Sequence, residues 1–323
     1  MSGFLSIGII QTALELGLIY SLVALSLFIS FSILNICDLS TDGCYTLGCA
    51  VGAMVTISGH PVLAVFLGMA AGMLSGFVTA FLQTKLGVES ILAGIIVNTG
   101  LYTVNLAVMG FSSNVSIFGS DTIFDMFASL SESRVWKQWS NLILLALILF
   151  FVCIGIHLFL GTRLGLSIRA TGDSPAMVRA SSINPAVMIV CGLVFSNALT
   201  GMAGALVGQI NGTSDINLGT GMVTIALASL VIGDVFFRKG SMLLRIIGVV
   251  IGSILYRLIM SMALRLNIPT EAFKLVSAAI VALALTIPRI RQLVALKLRK
   301  HRQLQQSMGS AAGIMGKGGS ADA

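Results

Sequence analysis

Long, almost uncharged apolar runs recur along this sequence and restrict what it can fold into. Apolar residues account for 56% of the 323 residues and charged residues for 10%. A bilayer offers the backbone no water to bond, so segments of about 20 apolar residues must satisfy their own hydrogen bonds as helices. The sequence therefore predicts an all-α, polytopic membrane protein and excludes a pair of soluble domains.

The hydropathy pattern predicts about nine transmembrane helices. The runs cover residues 11–34, 47–57, 62–82, 91–110, 142–160, 187–209, 222–237, 242–264 and 273–288. The second run is short unless the polar residues 41–45 belong to it, and we expect a broken or half-length helix there. We assign residues 1–288 to one transmembrane domain and residues 289–323 to a basic tail that is partly disordered by composition.

Basic residues separate by side when the runs alternate across the membrane. One side collects the tail and three connections, whereas the other receives only Arg134, Lys137 and Arg265. Because Lys and Arg concentrate in cytoplasmic loops, we expect an external N-terminus and a cytoplasmic C-terminus. The tail is either a topogenic signal or a basic helix on the inner leaflet. The net charge of +7 indicates no nucleic-acid partner, since no basic groove with interleaved aromatic residues accompanies it.

Two polar segments share a pattern. Asp38–Gly48 (DLSTDGCYTLG) and Asp215–Ala226 (DINLGTGMVTIA) each contain an aspartate, glycines and then a run of small residues. The alternation of spans places the first segment at an inner end and the second at an outer end. Such opposite placement is typical of inverted repeats, whose substrate path lies between the two halves. The alternative is that both segments are ordinary loops at span ends.

Polar residues within or directly beside the apolar runs are costly in a membrane and are candidates for a substrate path. The candidates are Glu15, Asp38, Asp42, Asn98 and Asn217. Asn98 and Asn105 are seven residues apart and therefore share one helix face. The alternative for each asparagine is a hydrogen bond between helices.

The pattern of an enzyme or a metal site is missing from the sequence. His60, His157 and His301 are scattered, and the five cysteines lack metal-ligand spacing. We therefore expect no catalytic residue, no metal and no directly bound cofactor.

One polar passage, residues 161–185, interrupts the apolar runs near the middle of the chain. Ser174 before Pro175 is typical of a helix start, and Asn184 before a proline is typical of a stop. We therefore expect a short helix over residues 176–183.

Two glycines, Gly165 and Gly172, precede this short helix and are expected to break the approach from the preceding span. A helix of about two turns is not stable in isolation. It must dock on another surface, unless the passage is an ordinary polar loop.

The segment Gly161–Asn184 (GTRLGLSIRATGDSPAMVRASSIN) resembles the cytoplasmic coupling loop of permease subunits of bacterial ABC importers, in the family of ribose and branched-chain amino acid permeases. Ala13–Ala53 resembles the opening of a subgroup associated with aromatic amino acid (tryptophan or tyrosine) uptake. The resemblance covers nearly the whole chain. It implies a type II importer fold in the bacterial plasma membrane and a small solute as cargo, namely an amino acid, with aromatic amino acids as a candidate class.

The resemblance also implies partners. Such a permease works as a pair with a second copy, binds cytoplasmic ATP-binding subunits, and receives substrate from an extracytoplasmic binding protein, all within membrane lipid. The ATPase-coupling candidates carried over are Arg169, Gly172, Asp173, Pro175 and Arg179. The sequence has no Walker A motif, so ATP would be used by the partner subunit. The alternative is an ion-coupled secondary transporter of a small solute, which would need no docking helix.

Overall fold

The helices follow the apolar runs of the sequence. The computed structural model describes residues 7–131, 133–237 and 240–265, with single helical positions at 279, 282 and 286. Its helices are α1 (Ile7–Leu27), α2 (Thr41–Ile57), α3 (Pro61–Thr84), α4 (Ser90–Val108), α5 (Ile123–Ala128), α6 (Arg134–Gly161), α7 (Arg163–Asp173), α8 (Pro175–Ala180), α9 (Pro185–Asn211), α10 (Met222–Phe237) and α11 (Met242–Arg265). A π-helical turn, Phe28–Ile33, continues α1, and two strands, β1 (Asn114–Ser116) and β2 (Thr213–Asp215), pair antiparallel.

Six helices within the described ranges are long and apolar enough to cross a membrane. They are Ile10–Ile33, Pro61–Thr84, Ser90–Val108, Val135–Gly161, Pro185–Asn211 and Met242–Ala263. The helices α2 and α10 have 17 and 16 residues, fewer than the roughly 20 that a full crossing needs. The prediction of an all-α, multi-pass membrane protein is confirmed, and the polar residues 41–45 belong to α2. The predicted ninth run, 273–288, and the tail, 289–323, lie outside the described residues.

The interior of the bundle is formed by α1 and α9. The helix α9 packs against α1, α2 and α3, and α1 also packs against α10 and α11. The spanning parts of α1 and α9 are 78% and 61% buried, whereas that of α6 is 17% buried. Because α6 is apolar on its outer side as well, that side is suited to lipid.

Glycines bring α2, α3 and α9 into backbone contact. A Cβ atom on Gly48 would collide with the carbonyl oxygen of Gly201, and one on Gly201 would collide with that of Gly68. Small residues allow helix backbones to approach closely in a membrane. The small-residue runs of α3 and α9 therefore fix the relative positions of three helices at the centre of the molecule.

The two ends of α9 define the two ends of the bundle. One end, which we call the α8 end, lies where α9 follows α8 in the chain. The other, the ribbon end, carries the strands β1 and β2, in which Val115 pairs with Ser214. The short helix α5 also lies at the ribbon end, where the side chain of Gln209 accepts a hydrogen bond from the backbone N–H of Ile123 at 2.9 Å.

The passage before α9 differs from the sequence prediction. The helix α7 runs without interruption through Gly165 and Gly172, so the expectation that these glycines break it is wrong. Both glycines permit close contact instead, since a Cβ atom on Gly172 would collide with the carbonyl oxygen of Ile33 and one on Gly165 with that of Phe159. Packing against neighbouring backbone, rather than a turn, accounts for glycine at these positions.

The helix α8 starts after Ser174, as predicted, but it ends at Ala180 rather than at the predicted residue 183. The Ser174 hydroxyl accepts a hydrogen bond from the N–H of Met177 at 3.4 Å, which is the expected N-cap. The helix ends at Ala180 because Ser182 takes a left-handed backbone with φ of 62°. The Asn184 side chain caps α9, accepting from the N–H of Ala186 at 3.0 Å.

Candidate functional site

The starts of α2 and α10 meet inside the bundle. Asp42, in the first turn of α2, accepts hydrogen bonds from the backbone N–H groups of Gly221 at 3.0 Å and Val223 at 2.8 Å. Thr46 also accepts from the N–H of Gly219 at 3.1 Å. The two segments are thus in direct contact, rather than separated at an inner and an outer span end as the alternation of spans predicted. Two short helices that both begin at interior depth explain the meeting.

Asp38 fixes this junction to the middle of α9. Its carboxylate accepts hydrogen bonds from the backbone N–H of Ser40 at 2.9 Å and from the Asn197 side chain at 2.7 Å. Asp38 is 1% exposed and Asn197 is fully buried. Buried polar groups of this kind must be paired to avoid a large desolvation cost. The bonds of Asp38 therefore hold the loop between α1 and α2 in place.

A cavity of about 260 Å³ lies beside the junction. It is bordered by α2, by α4 and by the chain between β2 and α10, and it opens to the surface at Tyr102 and Asn217. The polar side chains that line it include Asp42, Thr46, Asn98, Tyr102, Asn105 and Asn217. This volume suits a small solute, and the lining is polar although the surrounding helices are apolar.

Asn105 is the most deeply buried amide in this lining, at 1% exposed. Its Nδ2 donates to the carbonyl oxygen of Gly43 at 3.1 Å, whereas its Oδ1 receives no hydrogen bond from any described residue. Asn98 lies on the same face of α4, and its Oδ1 would be 2.7 Å from a Cβ atom on Gly43. Both asparagines therefore face the start of α2.

Three of the five predicted path residues are brought together at the cavity, namely Asp42, Asn98 and Asn217. Glu15 is not among them. It is buried in α1, where Gln11 donates to its Oε1 at 3.0 Å. Asp38 is committed to structural hydrogen bonds at the base of α2.

The coupling candidates lie together at the α8 end. Four of them are exposed: Arg169, Asp173, Pro175 and Arg179. Gly172 is half-buried against the π-helical turn, and its carbonyl oxygen accepts a hydrogen bond from the Asn35 side chain at 2.9 Å. The helix α8 is held by one buried side chain, Val178. The charged residues thus form an exposed surface beside the contact between Gly172 and the π-helical turn.

Comparison with known proteins decides the family. A family model described as the permease component of a branched-chain amino acid transport system matches residues 9–285. The chain belongs to this family. The resemblance seen in its sequence is thereby confirmed, and the chain is a permease component of a transport system rather than an enzyme.

Two curated proteins can be aligned with most of the sequence of this permease. A tyrosine transport system permease protein from Clostridioides difficile is 32% identical over 283 residues, which are 87% of this chain and 90% of the relative. An uncharacterized protein from Rickettsia prowazekii is 31% identical over 282 residues, 86% of this chain and 97% of the relative. No solved structure matches the permease.

The sequence prediction of the permease's path paired Asn105 with Asn98 on one helix face and did not include Thr46. Asn105 had a visible signal, because it lies two helical turns after Asn98 in an apolar helix. Thr46 had none, since its hydroxyl acts through a contact with Gly219, which is far away in the chain. Long-range contacts of this kind are not encoded in local residue patterns.

Proposed function

We propose that this chain is the transmembrane permease subunit of an ATP-driven ABC importer that moves an amino acid across the bacterial plasma membrane. An aromatic amino acid is the narrower form of the proposal, supported by similarity to a relative named as a tyrosine transport permease. The observation that carries the proposal is the exposed charged surface of α7 and α8 on a chain of the permease family. A second copy of the chain, an ATP-binding subunit and an extracytoplasmic binding protein complete the transporter.

The proposal places the α8 end in the cytoplasm. The helices α7 and α8 carry the charges that an ATPase would contact, including Arg169, Asp173 and Arg179. Charged groups on a docking helix give specificity and steer association with a complementary surface. The N-terminus then lies outside and the C-terminus inside, with nine spans as the full count. ATP is bound and hydrolysed by the partner, and no cofactor is assigned to this chain.

The substrate path is assigned to the cavity at the junction of α2 and α10. Asp42, Asn98 and Asn217 line it, and two helices that start at interior depth border it. Discontinuous helices of this type commonly form substrate sites near the bilayer midplane. An inverted repeat that relates Asp38–Gly48 to Asp215–Ala226 is part of the same proposal.

Charge reversal on α7 and α8 tests the coupling role. We expect Asp173→Lys and Arg179→Glu to leave the chain folded in the membrane, since both side chains are exposed. Copurification of the ATP-binding subunit should fall about tenfold or more, because unpaired charges at a buried interface cost several kcal/mol, and uptake should fall with it. Asp121→Lys, an equally exposed change at the ribbon end, serves as the control. Normal copurification and normal uptake in both α7 and α8 variants would contradict the assignment.

An ion-coupled secondary transporter is the second candidate, because such proteins also use helices that start at interior depth. Removing the gene for the ATP-binding subunit separates the two functions. Uptake that stops supports the importer, and uptake that continues and follows an ion gradient supports the secondary transporter.

A further inference from the structure

A second cavity lies at the ribbon end of the bundle. We call it the ribbon-end cavity, and its volume is about 400 Å³. It is lined by the turn after β1, by α5, by the start of α6 and by the end of α9. None of its lining residues belongs to the cavity beside Asp42. The ribbon-end cavity is therefore a separate space of a size that suits a small solute.

The wall formed by α9 is held in place by Gln209, which is 3% exposed. Its Oε1 accepts a hydrogen bond from the N–H of Ile123 at 2.9 Å, and its Nε2 donates to the carbonyl oxygen of Pro61 at 3.0 Å. Both ends of the amide are thus bonded to backbone, at the starts of α5 and α3. Because a buried amide with satisfied hydrogen bonds stabilises the position of its neighbours, this part of the cavity is preformed.

The lining contains one acid, Asp125, and one base, Lys137, and these two residues form no salt bridge with each other. Both are exposed. The Oδ2 atom of Asp125 accepts hydrogen bonds from the N–H of Thr122 at 3.1 Å and from its hydroxyl at 2.7 Å, whereas no described residue donates to Oδ1. Within the part of the chain that the structure describes, no carboxylate pairs with the ammonium group of Lys137 either. One negative and one positive group therefore remain for a ligand.

The other side chains of the lining carry no charge. Asn141 and Asn211 each have an amide, which both donates and accepts and so selects neither sign of charge. Ile117 and Phe124 are 1% and 4% exposed, and Phe118 is 78% exposed, so the cavity also offers apolar contact. A ligand with one charge would match only one of the two charged residues. A ligand with both charges and an apolar part matches the whole lining.

We propose that the ribbon-end cavity binds the zwitterion of an amino acid with an apolar side chain. Lys137 pairs with the carboxylate of the ligand, and Asp125 accepts a hydrogen bond from its ammonium group. This deepens the proposed function and rests on it for the identity of the solute. In the proposed orientation the ribbon end is outside, so this cavity receives the solute before it reaches the path beside Asp42.

The test uses the fluorescence of the two tryptophans in the sequence, Trp136 and Trp139, which flank Lys137 on α6. Their signal in the full-length chain, purified in detergent, reports on this cavity. L-Phenylalanine carries both charged groups, phenethylamine keeps the ammonium alone, and 3-phenylpropionate keeps the carboxylate alone. We expect a saturable change with L-phenylalanine and about fivefold weaker binding of each probe with one charge, in line with the modest strength of an exposed ion pair.

Substitutions of the two charged residues should act on different probes. Lys137→Gln should weaken binding of L-phenylalanine and 3-phenylpropionate about fivefold and leave phenethylamine unchanged, whereas Lys137→Arg keeps the cation and should bind all three as the wild type does. Asp125→Asn keeps an oxygen for Thr122 and should weaken L-phenylalanine and phenethylamine alone. The matched controls are Lys85→Gln and Asp121→Asn, two exposed positions outside the lining, and they should leave all three affinities unchanged.

The outcomes distinguish this inference from the proposed function. Equal affinity for the three probes, no saturable change with L-phenylalanine at millimolar concentration, or equal weakening of all probes in Lys137→Gln would overturn the zwitterion site. Each of these results is compatible with normal ATP-driven uptake. Conversely, the expected pattern in a chain whose uptake does not depend on the ATP-binding subunit supports the site and removes the proposed importer.

Discussion

At the scale of single residues, Asp42 ties the starts of two helices together. Its two carboxylate oxygens take the backbone N–H groups of Gly221 and Val223. The first N–H groups of any helix lack partners within the helix, and those of α10 lie inside the bundle, where an unpaired donor costs about 1–3 kcal/mol. The same side chain lines the cavity. One residue therefore supports both the fold of this region and the proposed path.

Substitution of Asp42 should show how much its carboxylate contributes to the stability of the fold. Asp42→Asn keeps one acceptor oxygen and Asp42→Ala keeps none, so the free energy of unfolding should fall in the order wild type, Asn, Ala. The alanine variant should lose about 2 kcal/mol, the sum of a lost cap and an unpaired buried donor. Thermal unfolding in one detergent measures the order, with Asp121→Ala as an exposed control. Equal stability of the alanine variant and the wild type would show that water replaces the carboxylate at no cost.

At the scale of elements, α7 is locked to the end of α1. Gly172 packs directly on the carbonyl oxygen of Ile33, the last residue of the π-helical turn. Asn35 donates to the carbonyl oxygen of Gly172 and takes a left-handed backbone with φ of 55°, which asparagine tolerates better than most residues. The loop that follows leads to Asp38 and then to α2. A short, hydrogen-bonded segment thus connects α7 to the start of α2 beside the cavity.

A single methyl group should separate α7 from this segment. Gly172→Ala places a Cβ atom against the Ile33 carbonyl, so one of the two backbones must move. We expect uptake to fall about tenfold, since mutations along a connection between two sites change their coupling by about 0.5–2 kcal/mol, while the ATP-binding subunit still copurifies. The matched control is Gly161→Ala, at the end of α6, where a Cβ atom meets open space. Unchanged uptake in Gly172→Ala would mean that this contact has no role in coupling.

The positions of the helices were largely predictable from hydropathy. The exact start of α2 and the roles of individual glycines were not. The run at 222–237 coincides with α10 because apolar length alone defines such a helix. The polar start of α2 was ambiguous, because Asp42 and Thr46 are satisfied by contacts with residues far away in the chain. Gly165 and Gly172 misled the prediction, since a turn and a close helix contact both favour glycine.

The site was predictable only in part, for a related reason. Intramembrane polarity selected Asp42, Asn98 and Asn217, which line one cavity. The same criterion also selected Asp38, whose carboxylate serves the structure through Asn197. The free-energy cost of burying a polar side chain in the membrane shows that this side chain needs a hydrogen-bonding or charged partner. This cost does not show whether the partner is a neighbouring residue or a ligand.

At the scale of the whole molecule, charge distinguishes the two ends of the bundle. The α8 end carries Arg163, Arg169 and Arg179. The ribbon end carries the acids Asp121, Asp125 and Asp215 together with the two basic residues at the start of α6, Arg134 and Lys137. The positive-inside tendency favours a cytoplasmic α8 end. Since α1 starts at the ribbon end, where Gln11 contacts the backbone of Gln138 at the start of α6, the proposed orientation places the N-terminus outside.

Labelling of introduced cysteines tests this orientation. Ala180→Cys at the α8 end and Ser113→Cys beside β1 are both exposed positions, whereas the five natural cysteines are buried or half-buried. A membrane-impermeant maleimide should label Ser113→Cys in intact cells and should label Ala180→Cys only in inverted vesicles. The unmodified chain measures background labelling from the natural cysteines. The reverse pattern would place α7 and α8 outside the cell, where no ATPase could reach them, and would remove the importer proposal together with the orientation.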